Sequence, residues 1–339
     1  MKKVSIKDIA ARANVSTATV SLVLSNKAGN GRVSAATIAR IKELAREMNY
    51  QPNYLAVGLK SGRSNTIGLL VSDISNPFFA KLAYYVQDEM EKSGYAVIIM
   101  NTDEDHLRLQ KMLLLLEGRQ MDGYIVVPTD KSEEILSDFI STNSRPFVLL
   151  DRYYPNLNLS SVSIDNYNMA YSSVSSLVQR KCKRIVMITY DNDLSHLSDR
   201  KKGFLAAMTD EGLSDQASIE YVNHKTLQDD VDAIICKCLK EGNVDGMFFT
   251  TNTIAIEALK SLRKHKITIG TDVQIAAFDK NDAYDLMDSF VPYVEQPLAT
   301  MGKTAATLLC KQLNEKERSC EMVELNGHFV SKKPAKFVL

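Results

Sequence analysis

Near its start the chain places apolar residues at Ile6, Ile9, Ala10 and Ala13, the i, i+3, i+4, i+7 spacing of one helical face. Ser5, followed three residues on by Asp8, is a capping-box pattern that starts this helix. Asn14-Val15 breaks the run, asparagine being one of the few residues that tolerate positive φ. Ser16 caps a second short helix that turns Val20, Val23 and Leu24 inward and Thr17, Ala18, Ser21 and Leu22 outward. The stretch Lys27-Ala-Gly-Asn-Gly-Arg is a loop by composition. Ser34 opens a third helix with Ile38, Ile41, Ala45 and Met48 on one stripe, and Tyr50-Gln51-Pro52 ends it, because proline pushes the residue before it out of the helical region.

From Thr66 onward the pattern becomes short apolar runs separated by amphipathic stretches. Strands are predicted at 67–71, 96–100, 124–128, 147–150, 184–189, 219–222, 246–249 and 274–278. Helices are predicted at 77–93, 106–118, 166–180, 198–211, 227–241, 253–264 and 297–314. Strands spaced by helices mean βαβ units and parallel sheets, and this length fits two similar lobes better than one sheet. Ligands of such sheets bind at the C-terminal ends of the strands, here facing an interlobe cleft.

The 339 residues suggest about two to three folded units. Lys+Arg and Asp+Glu number 41 each, a balance that argues against a polyanion binder until it is divided. Residues 1–63 hold eleven Lys/Arg against Asp8, Glu43 and Glu47, a net +8 that leaves −8 on the remainder. A basic head on an acidic body points to an anionic partner for the head. No apolar run is long enough to cross a bilayer, and no apolar segment follows the basic MKKVSIKDIA, so the expectation is a cytoplasmic protein with no membrane association. Five scattered cysteines read as reduced thiols. Cys236-Lys-Cys238 is too closely spaced for a zinc pair and has no histidine nearby, so neither a metal nor a cofactor is expected.

Catalytic signatures are missing from the sequence: no GxxxxGK[ST], no GxGxxG after a strand, no GxSxG and no HExxH. An enzyme reading therefore rests only on a fold able to host one, and the expectation is a non-enzyme.

Two short helices joined by a tight turn, the second polar on its outer face, fit a helix-turn-helix whose second helix enters the major groove. The hydroxyls of Ser16, Thr19 and Ser21 suit phosphate oxygens. Here the chain resembles the LacI/GalR family of bacterial transcription regulators. The residues that carry the resemblance are SIKDIAARANVSTATVSLVLSN (5–26), RVSAATIARIKELAREMNYQPN (32–53) and LAVGLKSGRSNTIGLLVSDISNPFF (55–79). DR (151–152), VSIDN (162–166), RKKGFLAAM (200–208), AAFD (276–279) and VEQPLATMGKTAATLL (294–309) continue it along nearly the whole chain.

The resemblance implies an α/β protein with an N-terminal helix-turn-helix headpiece (1–52), a hinge helix and linker (53–65), and a two-lobed, type I periplasmic-binding-protein-like core of parallel sheets flanked by helices (66–339). Lobe 1 is expected to span 66–163 and 292–317, and lobe 2 to span 164–291 and 318–339. It implies a sequence-specific DNA-binding regulator, in the leading reading a repressor, acting as a homodimer on a near-palindromic double-stranded operator. The DNA-facing set it implies is Ser5, Ser16, Thr17, Ala18, Thr19, Ser21, Leu22, Asn26, Asn53, Ala56 and Leu59. Of these, Thr17, Ala18 and Leu22 read bases, and Leu59 wedges into the minor groove. Many members carry arginine where this chain has Leu22; arginine reads guanine bidentately, whereas leucine offers apolar contact such as to a thymine methyl.

For the core the resemblance implies a small polar effector, a sugar or sugar derivative. Arg200 matches the position that grips effector oxygens, its planar fork of donors suiting hydroxyls or anions. Asp151, Asp165, Asn252 and Asp279 lie at or just past strand ends, where ligand contacts fall, and each also reads as a turn or cap residue; Asn166, in the VSIDN match, joins the implied set. Asn76-Pro77-Phe78-Phe79 follows the first strand; Phe78 and Phe79 admit both sugar stacking and core packing. Gln296 lies in a crossing segment. The alternative function at this stage is a sugar-binding transport-type protein without a DNA role.

Overall fold

The computed structural model describes residues 4–24, 33–50, 63–242, 244–315 and 319–332, and the chain divides into two compact units, Met1–Ser64 and Asn65–Leu339. In the first unit, α1 (Ile6–Ala13), α2 (Thr17–Leu24) and α3 (Ala35–Glu47) enclose Ile9, Ala10, Ala13, Val20, Val23 and Ile41. The Asp8 carboxylate accepts from Ser5 N at 2.8 Å and Ser5 Oγ at 2.7 Å. Asn14 adopts the left-handed conformation (φ 53°), which lets α2 begin three residues after α1 ends. Ser34 caps α3 by accepting from Thr37 N. Asn26, Asn53, Ala56 and Leu59 lie outside the described residues.

The second unit holds two six-stranded sheets of matching design. The first has the order β11-β5-β4-β3-β1-β2, built from β1 (Thr66–Val71), β2 (Ala96–Asn101), β3 (Gly123–Val126), β4 (Phe147–Leu150), β5 (Ser160–Ile164) and β11 (Met322–Leu325). The second has the order β12-β10-β9-β8-β6-β7, from β6 (Ile185–Tyr190), β7 (Ala217–Val222), β8 (Gly246–Phe249), β9 (Gln274–Phe278), β10 (Tyr293–Glu295) and β12 (His328–Val330). Every pairing is parallel except β10 with β12.

Alternate residues of a strand face opposite sides, so a parallel sheet covered on both faces needs continuous apolar runs. In β1, Ile67, Leu69 and Val71 pack toward α4 (Pro77–Lys92) and α11 (Leu298–Asn314). Leu70 on the other face joins Leu109, Leu113 and Leu136 of α5 (His106–Gly118) and α6 (Glu133–Thr142). The second sheet repeats this: Met187, Phe248 and Phe278 face α7 (Asn166–Gln179) and α8 (Ser195–Asp210). Val186, Ile188 and Phe249 face α9 (Leu227–Glu241) and α10 (Asn252–Lys264).

The structure corrects the expected lobe boundaries in two places. β10 hydrogen-bonds in the second sheet although 292–317 was assigned to lobe 1, and β11 pairs with β5 in the first sheet although 318–339 was assigned to lobe 2. Three crossings therefore join the lobes among the described residues: β5 to α7, β10 to α11, and β11 to β12. β5, β10, β11, β12 and α6 were not anticipated. β5 reads SSVSI with no apolar run, yet all five residues are buried, because Gln312 donates to Ser160 Oγ at 2.9 Å and Ser160 Oγ accepts from Glu321 N. A buried hydroxyl costs little once it is paired.

Candidate functional site

On the first unit, Ser5, Ser16, Thr17 and Ala18 are exposed, and Thr19, Ser21 and Leu22 half-exposed, along one side of α1 and α2. Ser16 Oγ accepts from Thr19 N at 3.1 Å and lies 2.9 Å from Thr19 Oγ1. The two hydroxyls thus complete the start of α2. Lys7, Arg12, Arg40, Lys42 and Arg46 are all exposed on the same unit.

On the second unit, the C-terminal ends of strands from both sheets meet around a cavity of about 170 Å³. Asn76 follows β1, Glu104 follows β2 and Asp151-Arg152 follow β4. From the other lobe come Tyr190 and Asn192 at β6, His224 after β7, Thr251 and Thr253 after β8, Asp279 after β9 and Gln296 after β10. Asp151 and Asp279 both adopt φ 70°, each one residue past the corresponding strand of the two sheets. Such a conformation is uncommon for a non-glycine residue, aspartate being among those that tolerate it.

Arg200 is 2% exposed on α8. Its Nε donates to Asn166 Oδ1 at 2.9 Å, its Nη1 to the Thr250 carbonyl at 2.6 Å, and its guanidinium lies 3.5 Å over the Phe278 ring. Burial pulls its pKa down to about 10, against Asp279 and Asp151, which favour its charge; it stays cationic at neutral pH. The reach to Asn166 depends on Gly203, one turn along α8. A Cβ there would stand 2.2 Å from the Tyr167 carbonyl and 3.0 Å from Tyr171 N, both on α7.

A second arginine was not anticipated as a site residue. Arg152 forms a two-pronged pair with Glu104 at 2.7 and 2.8 Å and donates to the Pro128 carbonyl at 3.0 Å. Burial disfavours both charges, but each outweighs it for the other: the Arg152 pKa rises and that of Glu104 falls. Burial pushes Asp151 up to about 6, opposed by Arg152 and Arg200, and raises Asp279 as well, opposed first by Arg200. His196, buried at the cavity, is held neutral by burial and by both arginines. His196 Nδ1 and Gln296 Oε1 are buried and have no hydrogen-bond partner among the described residues, while Arg152 Nε faces the Asp151 carboxylate at 3.4 Å. Buried polar atoms are nearly always paired, so these two lack a partner that a ligand or water would supply.

Of the residues expected for an effector, the cavity gathers Asn76, Phe78, Phe79, Asp151, Arg200, Asp279 and Gln296. Three others do different work. Asp165 caps α7 by accepting from Asn168 N at 2.9 Å and does not line the cavity. Asn166 stands behind Arg200 as its acceptor. Asn252 exchanges amide hydrogen bonds with Asn76 across the cleft at 3.0 and 3.2 Å. Phe78 and Phe79 pack edge to face in the core, as one reading expected, and also line the cavity. Sequence reading missed Glu104, Arg152, Tyr190, His196 and His224, the last stacked on Tyr190 at 3.6 Å. Arg152 had a signal, standing beside Asp151 in the quoted DR, and Tyr190 closes β6 just past the strand predicted at 184–189; the others lie in loops or helix starts with no local pattern.

Residues 5–53 match the family described as bacterial regulatory proteins, lacI family, and residues 64–333 match periplasmic binding proteins and sugar binding domain of LacI family. The ribose operon repressor of Halalkalibacterium halodurans is 31% identical over 338 residues, covering 98% of this chain and 97% of that protein. A LacI family transcriptional regulator of Enterococcus faecium, solved with bound ribose, is 24% identical with a TM-score of 0.70, over 78% of this chain and 96% of that one. The lac repressor dimer bound to operator and the anti-inducer ONPF superposes with a TM-score of 0.81 at 18% identity, over 97% and 98% of the two chains. No helix among the described residues is long and apolar enough to cross a membrane.

Proposed function

The chain belongs to the LacI family of bacterial regulatory proteins, and from that premise we propose that it is a homodimeric transcription repressor whose operator affinity is set by a sugar or sugar derivative bound in the cavity of its core. The observation that carries the ligand class is the cavity's set of buried polar groups. Two arginines, two carboxylates with raised pKa values and two unpartnered buried atoms surround a space of about 170 Å³. Neighbouring hydroxyls donate and accept at once, so a polyol can satisfy such a mixed set, which an apolar ligand would leave unpaired. The wall of Phe78 and Phe79 offers apolar surface for a sugar face. The 31% identity to a ribose operon repressor supports starting the ligand search at ribose and other pentoses.

The helix-turn-helix presents Thr17, Ala18 and Leu22 to base edges, with Ser5, Ser16, Thr19 and Ser21 on the phosphates. Members of the family are transcription regulators, and this role requires no catalytic step. It places the protein in the cytoplasm, with its operator. A transport-type binding protein leaves the match of residues 5–53 without a purpose. Selection of genomic fragments by the purified protein, followed by mobility shifts with and without each sugar, tests the reading. Expected is salt-sensitive, sequence-selective binding that one sugar changes; no selective binding to any fragment would sink it.

A further inference from the structure

The outer face of the second lobe carries a cluster away from the cavity. Asp232 and Cys236 lie one turn apart on α9, and His265 caps the C-terminus of the adjoining α10. His265 Nε2 stands 3.3 Å from Cys236 Sγ and 3.3 Å from Asp232 Oδ1, so one ring nitrogen faces both donors. We propose that Asp232, Cys236 and His265 form a binding site for one zinc-class divalent cation.

The spacing fits that chemistry. Tetrahedral zinc, with bonds of about 2.3 Å to sulfur and 2.0–2.1 Å to nitrogen and oxygen, holds S and N about 3.5 Å apart and N and O about 3.3 Å apart. Thiolate, imidazole and carboxylate are together a zinc-type donor set, whereas magnesium and calcium take oxygen. The carboxylate is already aimed: Ser261 Oγ donates to Asp232 Oδ1 at 2.6 Å, while Lys264 Nζ holds the far oxygen, Oδ2, at 2.7 Å. Asp232 is kept ionised by Lys264 and Ser261, its pKa lowered to about 2. All three donors are half-buried, which leaves water access to a fourth coordination position. None of them lines the effector cavity. The site was hidden in the sequence because the cysteine's partner is not Cys238, which is buried in the core, but a histidine 29 residues further on.

Binding replaces the Cys236 thiol proton, which leaves to solvent, and ties α9 to α10. The test is titration of the reduced, chelator-treated full-length protein with Co²⁺, then displacement by Zn²⁺. Expected is one-to-one binding with tetrahedral cobalt absorption and a thiolate charge-transfer band, a rise in melting temperature with Zn²⁺, and release of one proton. Cys236→Ser abolishes the charge-transfer band, His265→Gln weakens binding by at least about tenfold, and Cys320→Ser, at the exposed thiol, changes neither. In the unmodified protein Zn²⁺ shields Cys236 from iodoacetamide while Cys320 still reacts, a readout independent of variant folding. Absence of the band at a tenfold excess of Co²⁺, its persistence in Cys236→Ser, or undiminished alkylation of Cys236 would overturn the proposal.

Discussion

Gly203 offers a sharp test, because a single methyl group there meets backbone rather than a movable side chain. The added Cβ of Gly203→Ala would lie 2.2 Å from the Tyr167 carbonyl oxygen, where real Cβ contacts essentially never fall below 3.0 Å. It would also press Tyr171 N and Ala170 Cβ at 3.0 and 3.1 Å, so no rotation relieves it, and α7 and α8 must separate by close to 1 Å. Overpacking of a core costs typically 1–3 kcal/mol, and an obstructing backbone belongs at the upper end. In a unit of this size about 3 kcal/mol lowers the melting temperature by roughly 6–12 °C. The separation also draws Arg200 from Asn166 Oδ1, which links a packing defect to the ligand site. The counterpart is Gly118→Ala, at the end of α5, where a Cβ meets nothing within 4 Å. There alanine's better helix propensity should leave stability unchanged or raise it by up to about 1 kcal/mol. Calorimetry of both variants, with a sugar titration of the stable fraction, checks the pair. A Gly203→Ala protein that melts with the wild type and binds sugar equally would refute the close-packing argument.

Further outcomes can be measured on the same protein. Arg200→Met should abolish the sugar response in mobility shifts while sugar-free operator binding stays within about threefold, because its partners lie in the core; a retained response would exclude Arg200 from the site. The Asp151 pKa is raised to about 6 from 3.8, so its share of stability is full below about pH 4 and is lost as pH rises through 6. Asp151→Asn should therefore be more stable than wild type at pH 7, by up to about 3 kcal/mol, with the gap closing toward pH 4; a gap independent of pH would contradict the raised pKa. Leu22→Arg should move the selected operator toward guanine at the contacted position, with discrimination of about 1–3 kcal/mol, and an unchanged site would remove Leu22 from base reading. Operator affinity should fall steeply with salt, with a logarithmic slope near −0.9 per phosphate neutralised; a flat dependence would deny the basic head its role.

Much of the architecture could be read from residue pattern, because a sheet buried on both faces demands apolar runs such as IGLLV. Asn14 and the caps at Ser5, Ser16 and Ser34 were legible because each solves a local backbone problem within three or four residues. β5 was not, since its buried Ser160 hydroxyl is satisfied by Gln312 and Glu321, more than 150 residues away. The cavity divides along the same line. Arg200 and Asp279 follow strand ends or a recognisable motif, whereas Glu104 acquires its role only through Arg152, and His196 only through burial. Asp165 misled because a carboxylate just past a strand end serves equally well as a cap, and here it caps.

The three crossings between the lobes have a kinematic consequence. Two bodies joined by three short connecting segments are expected to move chiefly by rotation about the line of the crossings. Asn166 opens the helix after the first crossing and holds Arg200, and Gln296 directly follows the strand of the second and donates to Asp279 at 2.6 Å. The groups that meet a ligand are thus bolted to the axle itself. A ligand that engaged Arg200 or Asp279 would therefore act on residues tied to the crossings themselves.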